Sequence, residues 1–103
     1  MRIPEKYQQL YFFLQNVEER LIEINIRAEK LEKEGKDTTN IDNHGIDLVR
    51  QVNFYLNQLH EFGPYNDMEY IFGQSQEEIK QIVTKKLIKL ETIIKAKEEE
   101  TQK

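Results

Sequence analysis

The sequence predicts an all-α protein: an antiparallel three-helix bundle, made of a long helical hairpin plus a third helix, with coiled-coil-like packing. Only four Gly and two Pro occur in 103 residues, so few positions favour turns. Charged residues make up 33% and hydrophobic residues 38%, a composition that suits long amphipathic helices. In three segments the apolar residues recur at three- and four-residue spacings, which is the helical period. The length fits a single domain over residues 1–103.

The first predicted helix covers about residues 4–34. Pro4 suits a first helical turn, and Gly35 is a natural terminator just past the end. Tyr11, Ile22 and Ile26 form a second apolar ridge beside the main seam, which predicts contacts with two neighbouring helices. The seam itself, spaced alternately four and three apart, consists of Ile3, Tyr7, Leu10, Leu14, Val17, Leu21, Ile24, Ala28 and Leu31.

The second predicted helix covers about residues 43–62 and follows a loop over 35–43. The loop is rich in residues that cap helices, and Asn40, Asp42 or Asn43 could occupy the capping position. Gly63-Pro64 is expected to end this helix. Its predicted inner face is Leu48, Val52, Tyr55, Leu59 and Phe62, flanked by Val49 and Leu56.

A connecting segment over residues 63–75 is predicted next, with one short helical turn around 67–72. Ser75 and Glu78 then match a capping box at the start of a third helix over about 76–97. We expect the acidic tail over 98–103 to fray. Short connections favour antiparallel neighbours, so the predicted topology is up-down-up. The third helix's apolar stripe is Ile79, Val83, Leu87, Leu90 and Ile94, with Ile82 and Ile93 beside it.

The aromatic residues are unevenly distributed, because all ten lie between Tyr7 and Phe72. An up-down-up topology brings eight of them to one end of the molecule. They could form a small core under the connecting segment, or they could form a binding surface. Phe12 points away from the seam and Phe54 lies on the outer face of the second helix, which favours a surface role for both. The candidate partner-binding residues are Phe12, Phe54, Tyr11, Tyr65 and Tyr70.

The residues that carry most catalytic and metal chemistry are scarce. The absence of Cys excludes a disulfide framework, a thiolate zinc site and a cysteine nucleophile. The two His, His44 and His60, lie near opposite ends of the second helix, roughly 24 Å apart at 1.5 Å per residue, so they cannot share a metal. No glycine-rich phosphate-binding motif occurs. We therefore expect no catalytic site, no metal and no cofactor, and we do not expect an enzyme.

One carboxylate pattern suggests an alternative, a magnesium-dependent nucleotide hydrolase. Glu18, Glu19 and Glu23 lie on the first helix, and the stretch 34–37 superficially resembles the second acidic element of all-helical MazG-type pyrophosphohydrolases. The first element has a different spacing, however, and the second crosses a predicted helix end. No functional residue is therefore transferred from that family.

A second alternative is a nucleic-acid-associated regulator that uses the third helix. Residues 80–97 contain six Lys and one Glu, although the net charge of the chain is −4. Nucleic-acid binding favours basic residues gathered on one face, whereas these lysines point in several directions. The pattern is more typical of a solvated helix, so nucleic acid is not the expected partner.

The function that the sequence favours is a non-catalytic protein–protein interaction module: a small adaptor, regulator or inhibitor. Its expected partner is another protein or a second copy, and a homodimer is plausible because the apolar ridges exceed what a small core needs. No apolar run reaches the ~18 residues of a membrane span and no signal peptide is evident, so we expect a cytoplasmic protein. Abundant Ile and Lys with two Ala favour an AT-rich source, such as a low-GC bacterium or its phage.

Overall fold

Three helices pack against one another pairwise in the computed structural model, which describes residues 3–62 and 73–100 and, at Phe62, the backbone alone. They are α1 (Glu5–Lys33), α2 (Thr39–Phe62) and α3 (Gln76–Glu100), and no strand occurs among the described residues. The three-helix all-α prediction is thus confirmed. The predicted turn at 67–72 lies outside the described residues.

Contacts between the helices establish the up-down-up topology. The rings of Tyr11 and His60 meet edge to face with centroids 5.4 Å apart, so the start of α1 lies beside the end of α2. At the same end, the Gln76 side-chain amide donates to the carbonyl of Lys6 at 3.1 Å, so α1 and α3 begin together and run parallel. The molecule is correspondingly elongated, measuring 53 × 23 × 18 Å.

The end of α1 depends on Gly35, as the sequence predicts. Gly35 has φ +83°, a left-handed conformation that only glycine adopts without strain. Its N–H donates to the Glu32 carbonyl at 3.0 Å, and the N–H of Lys36 donates to the Leu31 carbonyl at 3.1 Å. These two bonds form a Schellman motif, which satisfies carbonyls that the helix end leaves unpaired.

The beginning of α2 differs from the prediction, because the helix starts at Thr39, about four residues before the expected position. Asp37 lies just outside it, and its Oδ1 accepts hydrogen bonds from the Thr39 N–H at 3.0 Å and the Thr39 hydroxyl at 2.6 Å. These bonds hold the pKa of Asp37 below its usual range. The candidate caps Asn40 and Asp42 lie inside the first turn, and Asn43 follows them.

Ser75 caps α3 as predicted, since its Oγ accepts a hydrogen bond from the Glu78 N–H at 3.3 Å. The helix continues to Glu100, three residues past the expected end near 97, and the fraying of the tail stays a prediction. Arg27 Nε donates to Glu98 Oε2 at 3.1 Å and links this last turn to α1.

The core follows the predicted seams almost completely. All nine seam residues of α1 are buried, and they meet the inner faces of α2 and α3, where Leu48, Val52, Leu59, Ile79, Val83, Leu90 and Ile94 are fully buried. Leu87 and Ile93 are partly buried against this cluster. The predicted contact of α1 with two neighbouring helices is confirmed, since α1 packs against both α2 and α3. Of the predicted second ridge, Tyr11 is partly buried, whereas Ile22 and Ile26 are largely exposed.

Candidate functional site

A groove runs along the junction of α1 and α2. It consists of two sections of about 460 Å³ each, which share Leu21 and Val49 in their walls. From Gln15 to Ala28 along α1 the groove is about 20 Å long at 1.5 Å rise per residue. That length accommodates about four turns of helix.

Four aliphatic side chains on the two helices form an exposed apolar surface at this groove, here named the groove patch. On α1, Ile22 is 63% exposed and Ile26, one turn further, is 61% exposed. On α2, Ile46 is 51% and Val49 40% exposed. Ile22, Ile46 and Val49 line the groove directly. Exposed apolar side chains gathered along a groove on a small domain are candidates for an interaction site.

Charged side chains line the groove from both helices. Glu18 and Glu19 line it from α1, and Asp42 and Arg50 line it from α2. Within the described part of the chain, none of these four side chains takes part in an ion pair. The groove therefore has an acidic edge beside α1 and charges of both signs beside α2.

The junction of α1 with α3 is closed by charged side chains. Arg20 Nε donates to Glu91 Oε1 at 2.7 Å, and one helical repeat further on Arg27 pairs with Glu98. The hydrogen bond from Arg27 holds the pKa of the Glu98 carboxyl below its usual range. Between α2 and α3, the bond from Lys86 Nζ to Asp47 Oδ2 at 2.8 Å likewise lowers the pKa of Asp47.

The aromatic residues selected from the sequence divide into three groups. Phe12 and Phe54 are both more than half exposed, so the prediction that they point away from the core is confirmed, although their role in binding remains a prediction. Tyr11 is half-buried against the core and accepts a hydrogen bond from the Gln15 amide at 2.8 Å. Tyr65 and Tyr70 lie outside the described residues. In sequence, Phe54 lies five residues after Val49 on α2, and Phe12 lies ten residues before Ile22 on α1.

Half of the lysines on α3 are engaged by carboxylates. Lys80 pairs with Glu77, Lys86 with Asp47 and Lys97 with Glu100. Lys85, Lys89 and Lys95 are exposed and surround Ile88, itself 57% exposed, on the outer face of the helix. This single apolar residue among lysines is an ordinary surface feature.

Metal sites and membrane-spanning helices are both missing from the described part of the chain. No group of three or more His, Asp or Glu side chains there is arranged to hold a metal ion. None of the described helices combines the length and the apolarity that a membrane crossing requires.

Comparison with protein-family models, with curated proteins and with solved structures gave no match. The chain's own residues therefore carry what can be inferred about its role.

Sequence reasoning misses Ile46 and identifies Ile22, Ile26 and Val49 only as flanks of the core. Ile46 is missed because the second helix is predicted to begin near residue 43. Ile46 then falls in the first turn, where the sequence pattern assigns neither an inner nor an outer face. One feature of the sequence could have indicated this exposed surface: α1 has more apolar ridges than two neighbouring helices cover. The spacing of Ile22 and Ile26 by one turn indicates a stripe and not a scattered pair.

Proposed function

We propose that the chain is a non-catalytic protein-interaction module, acting as a small adaptor, regulator or inhibitor that binds a protein partner through the groove between α1 and α2. The observation that carries the proposal is the groove patch of Ile22, Ile26, Ile46 and Val49 along a groove long enough for a helix. Covering the patch removes apolar surface from water, at roughly 25 cal/mol per Å².

The shape of the groove favours a helical partner. Two antiparallel helices leave a channel into which the apolar face of a third element packs, as in helix-in-groove recognition. Such binding uses apolar anchors spaced by one turn, and Ile22 and Ile26 have this spacing. Phe12 lies ten residues before Ile22 on α1, and its ring contacts that of Tyr11 at the end of the molecule where Tyr11 meets His60.

A capture experiment with matched variants tests the proposal. The native chain, Ile22→Glu/Ile26→Glu and Ile88→Glu are immobilised separately, and captured proteins are identified by mass spectrometry. We expect a partner that the native chain and Ile88→Glu retain and that the double variant loses at least tenfold. All three substituted side chains are exposed, so circular dichroism should show equal helicity. Equal capture by all three chains would contradict the proposed function.

A further inference from the structure

We draw no further inference here: the strongest candidate, the apolar groove patch of Ile22, Ile26, Ile46 and Val49 at the junction of α1 and α2, carries nothing beyond the proposed function, because nothing in the structure shows what covers it.

Discussion

The two flanks of α1 differ in how they meet their neighbours. On the flank facing α3, Arg20 and Arg27 reach across to Glu91 and Glu98 and close the junction. On the flank facing α2, Ile22 lines the groove and remains largely exposed, and Ile26, one turn further, is exposed as well. Both junctions share the same buried seam, so the difference lies only in the residues beside it.

This difference shows how flanking residues separate contacts within the chain from contacts beyond it. Long charged side chains extend over a helix junction and find partners on the neighbouring helix. Short β-branched side chains cannot reach a neighbour that is already packed on the seam, so their apolar surface stays uncovered. A closed flank therefore stabilises the monomer, whereas an open flank is available for association.

The largest expected effect comes from the seam that the two flanks share. Leu90 is fully buried and forms part of the groove floor, so Leu90→Ala should lower the free energy of unfolding by about 3 kcal/mol. The matched control Ile88→Ala, two residues earlier on the exposed face of α3, should change it by less than about 0.5 kcal/mol. Urea denaturation at one fixed protein concentration measures both. Similar losses for the two variants would contradict the assignment of core and surface on α3.

Two glycines, Gly45 and Gly35, allow a further comparison, because replacing each by alanine should change the stability of the folded chain in opposite directions. Gly45 lies within α2 on the wall of the groove, and a Cβ added there meets no atom within 4 Å. Gly45→Ala should therefore stabilise the monomer by about 0.5–1 kcal/mol through helix propensity. Gly35→Ala also meets no atom, but the φ of +83° is strained for alanine and should cost about 1 kcal/mol.

Thermal melts in dilute solution, where any dimer dissociates, measure these two changes. Destabilisation by Gly45→Ala under those conditions would mean that the groove is closed at this height within one chain.

The smallest effect concerns the closed flank and depends on pH. The pKa of Glu98 is lowered by the hydrogen bond from Arg27, so at acidic pH the unfolded chain binds more protons than the folded chain. The resulting stability is present above the ordinary glutamate pKa, about 4.3, and is lost as pH falls through the lowered folded-state value. Because this pair is more than one third exposed, Glu98→Gln should cost only about 0.2–1 kcal/mol at pH 7.

Denaturation of the native chain and Glu98→Gln at pH 7 and at pH 3 tests this dependence. The difference between them should shrink as the pH falls, since protonated Glu98 no longer pairs with Arg27. The control Glu99→Gln removes the same charge from the next position, which is exposed and forms no ion pair with another described residue. A cost for Glu98→Gln that is unchanged at pH 3 would argue against the ion pair.

Periodicity predicted the fold well because the seams are long and regular. The spacing of the α1 seam identified its buried face without exception, and the properties of Gly35 and Ser75 located two helix ends. The start of α2 escaped prediction, since several polar residues there have similar capping ability and the choice of Asp37 depends on its bonds to Thr39. The helix α3 ends three residues past its expected end near 97, and Arg27, 71 residues away in sequence, pairs with Glu98 in this last turn.

The groove patch was harder to predict than the fold. Helical periodicity shows which residues lie beside a seam. It does not show which of these flanking residues the neighbouring helix covers. Ile22 and Tyr11 belonged to the same predicted ridge, yet Tyr11 is half-buried beside His60 while Ile22 remains exposed. The difference comes from side-chain length and shape, since a Tyr ring extends to the neighbouring helix and an Ile side chain does not.

The parallel alignment of α1 and α3 has a consequence for the order of assembly. Arg20–Glu91 and Arg27–Glu98 each join residues 71 apart in sequence, whereas α1 and α2 are joined by a short turn. Closing a long loop costs more chain entropy than closing a short one, so the hairpin of α1 and α2 should form before α3 docks. Ion pairs made after the rate-limiting step slow unfolding without speeding folding. Removing either arginine should therefore speed unfolding slightly, since exposed ion pairs contribute little, and should leave the folding rate nearly unchanged.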